Sequence, residues 1–357
     1  MERNYIGKTV FVGIDVHKKS YSVYCICERT KVKSWSMAAN PQELIQTLKK
    51  NFSGARLCTV YEAGFSGFAL HRELISAGIE SIVVNPGSVE TASRDKVKTD
   101  KRDAKKLSEQ LSDGRLESIY IPSLEEELLR LNTRMRQTLV DDRKRITCRI
   151  KSKLFQFGYN HLVPSNKSAN ATWIEEIRDN PEYPVELRAI IDYWCNQWVK
   201  LTEDIKGINK EIAKQSQSNK RCANQEAIYR STPGLGNISA KALSRELGDL
   251  QQFDSNKKVY SYLGLTPSES SSGERRKQGG ISHCGRPYLR HLLTEVAWRA
   301  TNKDKELADK FAMLSYRRGK KRAIVAIARI LIGRIRTCFK NGTLYQEQVL
   351  AEKDIDA

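Results

Sequence analysis

Four carboxylates stand where elements of the chain are expected to end or begin. Asp15 closes the apolar run Val12-Gly13-Ile14, and Glu62 closes a second β-rich run that starts near Arg56. Asp100 and Asp103 lie in TDKRDAKKLSEQL, where a three-residue spacing puts both on one face of a helix. Oxygen donors converging from strand ends and a helix suit one or two magnesium or manganese ions. Paired ions of this kind activate a nucleophile and stabilise a leaving oxygen in phosphodiester chemistry. Each acid also has an ordinary reading: an Asp after a strand caps a turn, and a lone helical Asp is solvated. The four together at matched positions favour the metal reading. His17 serves either as a further contact to metal or phosphate or as a hydrogen-bonded structural histidine.

Other chemistry is carried by hydroxyls and cations. Residues 268–280 hold Ser268, Ser270, Ser271 and Ser272 followed by Arg275, Arg276 and Lys277, a polar turn whose composition reads as a surface loop. Thr232-Pro233-Gly234-Leu235-Gly236 joins two expected helices as a helix-hairpin-helix does, and Gly234 and Gly236 there offer exposed amides to a DNA phosphate. A plain structural turn is the competing reading. Arg317, Arg318, Lys320, Lys321 and Arg322 crowd six residues, and contact with phosphate is favoured over a solvated face.

The elements that must position these groups follow from pattern. A strand over residues 8–14, a looser one over 21–27 and a third near 33–37 predict an antiparallel meander. Helix, strand, helix and strand then follow, from Pro41 to Val84. That order is the ribonuclease H-like one, which delivers carboxylates to one sheet edge. Residues 125–159 are helical and charged, with Leu128, Leu129, Leu131, Met135 and Leu139 as a stripe and Arg143, Lys144, Arg145, Arg149, Lys151 and Lys153 behind them. A second helical run from Trp173 to Ile212 predicts an antiparallel hairpin or an intermolecular coiled coil. Amphipathic helices are expected at 288–298 and 323–339. The divisions are 1–124, 125–222, 223–345 and a frayed polar tail, 346–357.

Length and charge bound the class. At 357 residues the chain exceeds a single core. A formal charge of +19 attracts polyanions, so nucleic acid leads the candidate partners. No apolar run reaches the roughly 18 residues of a membrane span. The chain enters its first strand without the pattern of a secretory signal, and its eight cysteines are scattered. Reduced thiols in a cytoplasmic setting are the expectation.

Together GIDVHK (13–18), YEAG (61–64), TDKRDA (99–104), TPGLG (232–236), YLGLTP (262–267) and SSG (271–273) ahead of GGISHCGRPYLRHLL resemble the DEDD transposases of insertion-sequence family 110. Its 1111 subgroup and the related pilin-gene invertase share the likeness, which spans nearly the whole chain. The resemblance implies a fold that is α/β plus all-α: an N-terminal ribonuclease H-like (RuvC-like) domain, a coiled-coil connector and a mainly helical transposase domain. It implies that Asp15, Glu62, Asp100 and Asp103 hold Mg2+ or Mn2+. It also implies that Ser272, four residues past GLTP and directly before Gly273, attacks DNA to form a transient phosphoserine, with Ser271 one residue away as the alternative. The implied partners are donor and target DNA, a non-coding bridge RNA and further copies of the chain, as dimer or tetramer, in a prokaryotic cytoplasm at the nucleoid. Two other functions compete. One is a RuvC-like metal-dependent endonuclease that hydrolyses branched DNA with water; the other is a catalytically silent nucleic-acid scaffold.

Overall fold

The computed structural model describes residues 4–90, 99–164, 169–178, 180–269, 278–282 and 285–346. It divides into two compact units, Met1–Pro122 and Ser123–Ala357.

The first unit is built on a five-stranded sheet. Strands β1 (Thr9–Val16), β2 (Ser20–Cys27) and β3 (Thr30–Ala38) form the expected meander, and β1 then pairs in parallel with β4 (Arg56–Glu62), which pairs in parallel with β5 (Glu80–Val84). The order across the sheet is β3-β2-β1-β4-β5. Glu28 and Arg29 turn the β2–β3 hairpin with φ of 52° and 59°, the paired left-handed conformation that matches strand twist. Alternation decides the two faces. Val10, Val12, Ile14 and Tyr61 pack with Leu44, Leu48, Leu70 and Leu74 of helices α1 (Pro41–Asn51) and α2 (Ala69–Ser76). Tyr24 and Ile26 meet Ala104, and Val60 and Val84 meet Leu107, so helix α3 (Asp100–Ser112) covers the opposite face.

The second unit is helical. Helix α4 (Leu124–Gln156) starts at a capping box of Ser123 and Glu126, which satisfies two otherwise orphaned amides. It pairs with α6 (Val185–Ser218). Arg136 bonds Asn209, Arg143 bonds Thr202 and Trp198 bonds Thr147, so contacts descend α6 as they ascend α4 and the pair is antiparallel within one chain. The long helical run expected from Trp173 is in fact two helices. Pro181 and Pro184 lie between α5 (Ala171–Arg178) and α6, because neither proline can supply a helical amide. Trp173 and Trp198 are buried with Ile150 and Leu154, as core.

The expected stripe on α4 holds only in part. Leu139 is buried, as expected, and Leu129 is half-buried, but Leu128, Leu131 and Met135 are exposed; Ile146, Ile150 and Leu154 continue the buried side. The apolar stripe of α4 drifts, so its first half and second half present different sides.

The remaining helices are α7 (Lys220–Ser231), α8 (Asn237–Leu247), α9 (Asn256–Tyr262), α10 (Pro287–Thr301), α11 (Lys305–Arg318) and α12 (Lys320–Asn341). Leu243, Leu247, Leu293, Val296, Ile327 and Leu331 form their common core. Strands β6 (Pro267–Glu269) and β7 (Gln278–Ile281) pair antiparallel on either side of the serine-rich turn, where composition alone suggested only a loop. Among the described residues, Cys25, Cys27, Cys58, Cys148, Cys195, Cys222 and Cys338 are not joined in disulfides. No helix among the described residues is long and apolar enough to cross a membrane.

Candidate metal centre and nucleic-acid surface

Asp15 and Glu62 come together through strand register. The last parallel pair of β1 and β4 is Ile14 with Tyr61, so the next residues, Asp15 and Glu62, stand side by side on adjacent strands. Ile14 and Tyr61 point to the α1–α2 side, which turns both acids to the α3 side. Helix α3 brings Asp100 and Asp103 in its first turn, behind Thr99 as N-cap. Carboxylates there complement the partial positive charge of the helix start.

Gly13 sets how close that helix comes. A Cβ at Gly13 would lie 2.0 Å from the Ala104 carbonyl oxygen and 2.6 Å from the Ser108 amide nitrogen. The backbone of α3 therefore rests directly on the backbone of β1, two residues before Asp15. In the sequence this glycine is marked only as a residue without a side chain in an apolar run ahead of a carboxylate.

His17 completes the cluster. Its Nε2 lies 3.1 Å from Asp15 Oδ2 and 3.3 Å from Asp100 Oδ2. Ligand atoms of Asp15, His17 and Asp100 all fall within 4.8 Å of one another. Asp103 stands one turn along α3, with Lys106 Nζ at 3.8 Å from its carboxylate. Glu62 and Asp103 are not part of that closest trio. Burial pushes the Asp15 carboxyl above its ordinary value; Asp100 and Asp103 push it the same way, against the opposing pull of His17. A carboxylate crowded by like charge and partly withdrawn from water favours a nearby cation, and His17 Nε2 lies within 3.3 Å of both Asp15 and Asp100. The donor set suits a hard divalent ion, and the imidazole makes it more hospitable to manganese than carboxylates alone.

In the second unit the polar candidates separate. Gly234, at φ +82°, is buried: a Cβ would lie 2.7 Å from Val296 O and 2.8 Å from Ala300 N, so this glycine lets the turn pack on α10. Gly236 is exposed as N-cap of α8, with no side chain satisfying the helix start. Arg317 and Arg318 end α11, Gly319 breaks the chain at φ +79°, and Lys320, Lys321 and Arg322 begin α12. Three cations at a helix start oppose the helix dipole, an arrangement that an anion relieves. Ser270, Ser271, Ser272, Arg275, Arg276 and Lys277 lie outside the described residues. On either side of them in the sequence, Ser268 Oγ donates to Gly280 O and Ser282 N to Thr266 O, closing the β6–β7 hairpin.

Beyond the hairpin, Arg286 reaches Glu246, which Arg134 of α4 also grips through two nitrogen–oxygen contacts of 2.7 and 2.9 Å. Glu246 is 2% exposed, so this pairing ties the end of the serine segment to α8 and α4.

Comparison with known proteins places these two regions. A family model of DEDD transposases of the IS110 type matches residues 12–158. A second, described as Transposase IS116/IS110/IS902 family, matches residues 226–312. The chain is 28% identical to the Sinorhizobium fredii protein y4qE over 82% of its own length and 72% of the relative's. It is 27% identical to the transposase for insertion sequence element IS1533 of Leptospira borgpetersenii, over 82% and 85% of the two chains. With the transposase for element IS1111A of Coxiella burnetii it shares 23% identity over 89% and 86%. The four acids fall inside one matched region and the serine hairpin inside the other, and the chain belongs to the IS116/IS110/IS902 family of DEDD transposases.

Proposed function

We propose that this transposase cuts and rejoins DNA through a serine ester, with a metal centre on the first unit, and that a bridge RNA of its mobile element selects the sites. The observation that carries the reading is the gathering of Asp15, His17 and Asp100 within 4.8 Å, beside Glu62 on the next strand. The strand order, a three-stranded meander extended by parallel strands, supports a ribonuclease H-like (RuvC-like) assignment for this unit.

Asp15, Glu62, Asp100 and Asp103 would hold Mg2+ or Mn2+, which supplies charge neutralisation at phosphorus. Ser272 Oγ forms the new bond to phosphorus while the bond to the departing sugar oxygen breaks; the hydroxyl loses its proton and the sugar oxygen gains one. Reversal with a different sugar hydroxyl rejoins the strand and frees the serine, so no phosphodiester energy is lost to water. Arg275, Arg276, Lys277 and the cations from Arg317 to Arg322 hold phosphates, and Gly236 offers an amide at the α8 start. Sequence choice by RNA pairing leaves the protein without a base-reading code.

The reading includes a homo-oligomer, dimer or tetramer, in which sites are shared. Leu124, Leu128, Leu131 and Met135 support it: they are 50–57% exposed along α4 at coiled-coil spacing. It also places the protein in a prokaryotic cytoplasm, at the nucleoid. Hydrolysis by water is the other reading of the same acids, and no observation favours it over the serine. Strand transfer between labelled donor and target DNA tests the proposal. Product is expected only with divalent metal and bridge RNA; product formed equally well without the RNA contradicts the guidance.

A further inference from the structure

A cleft of about 900 Å³ opens between the β6–β7 hairpin and helices α11 and α12. Its floor is apolar: Tyr260, Leu265, Ile281, Leu314 and Val325. Its rim is cationic: Lys257, Arg317, Arg318, Lys321, Arg322 and Arg329. Glu269 is the one acid among the described residues of the lining. None of the six cations pairs with a carboxylate among the described residues. Arg329 lies over the Tyr260 ring, 4.7 Å from its centroid, a cation–π contact that ties this part of the rim to the edge of the floor.

We propose that this cleft seats an unpaired stretch of the DNA strand undergoing exchange, its bases on the floor and its phosphates on the rim. The inference rests on the serine reading for its choice of DNA, because the hairpin that forms one wall is the one that frames Ser272. The form of the ligand follows from the lining. A duplex presents phosphates and sugars outward and would ask for cations on the floor as well as the rim. An apolar, partly aromatic floor inside a cationic border matches a strand whose bases have left the stack. The volume lies at the upper end of the roughly 300–1,000 Å³ typical of small-ligand pockets, room enough for a nucleotide.

The test measures binding by the full-length protein, using fluorescently labelled 15-mers of three kinds: thymidine DNA, the same backbone without bases, and uridine RNA. Wild-type protein is expected to bind the thymidine strand at least tenfold more tightly than the abasic one, as stacking contributes about a factor of ten per base. Ala326→Phe, which fills the cleft, and Leu314→Gln, which wets its floor, are expected to abolish that difference while duplex binding changes less than twofold. Equal wild-type affinity for the based and abasic strands would overturn the proposal, and that measurement needs no variant to fold. So would a uridine strand that binds more tightly than thymidine and alone responds to the floor variants, since the occupant would then be RNA. Failure of any serine adduct to form, with the binding pattern intact, would instead sink the serine reading and leave the cleft standing.

Discussion

Asp15 carries an electrostatic cost that the proposed metal would relieve. Its carboxyl is raised above the ordinary value by burial first and by Asp100 and Asp103 next, with His17 opposing. A raised value in the folded state means that folding favours the protonated acid. That contribution is complete below the unfolded value and is lost as pH rises through the folded one, so the ionised Asp15 strains the metal-free protein at neutral pH. Metal-free Asp15→Asn should therefore melt at a higher temperature than wild type at pH 7, with the gap closing toward pH 4. Magnesium or manganese should raise the melting temperature of wild type and leave the variant almost unmoved; a variant that melts lower than wild type at every pH would contradict the crowding. For chemistry the effect reverses. Glu62→Gln or Asp100→Asn should lower strand cleavage at least 100-fold in a gel assay while nucleic-acid binding persists, and cleavage at the wild-type rate would remove those residues from the metal set. The acids were legible in sequence because each sits at the boundary of a periodic segment. The role of His17 was not, since both its partners depend on how β1 and α3 are packed.

At the scale of elements, the site is a contact between one strand and one helix. Gly13→Val places atoms where the Ala104 carbonyl of α3 now lies, and α3 must withdraw. This overpacking should cost about 2 kcal/mol or more in denaturant unfolding. Because Asp100 and Asp103 move with the helix, cleavage should fall by about 100-fold although every acid is still present. Wild-type cleavage by a folded Gly13→Val protein would mean that α3 does not set the geometry. The five strands and the first two helices could be read from period and turn residues, since local pattern specifies them. The α5–α6 break was signalled by Pro181 and Pro184 and masked by apolar residues that keep a helical period across it. The side of α4 that becomes buried could not be read, because Leu128 and Leu139 look alike until α6 has a position. The Arg134–Glu246–Arg286 link was equally hidden, for its members lie far apart in the chain and meet only in the helical unit.

Across the whole molecule, the four acids belong to the unit Met1–Pro122 and the serine-rich segment to Ser123–Ala357, so the proposed reaction draws on both units. A net charge of +19 suits a protein that holds several nucleic-acid strands at once, and clustering on the cleft rim concentrates that charge next to the hairpin. The exposed Leu124, Leu128, Leu131 and Met135 lie at coiled-coil spacing on one edge of α4, and the proposed oligomer would cover them. Composition made the polyanion partner legible, while the cleft that would hold a strand is assembled from residues far apart in the chain and could not be read from it. The most direct measurement is made on purified protein with bridge RNA, magnesium and end-labelled donor and target DNA, stopped in denaturant and separated on a protein gel. Label that stays on the wild-type chain, and is lost in Ser272→Ala and in Asp15→Asn, is the expected result. Free cleaved strands without any protein-bound label, still dependent on Asp15, would contradict it and make the enzyme a hydrolytic nuclease.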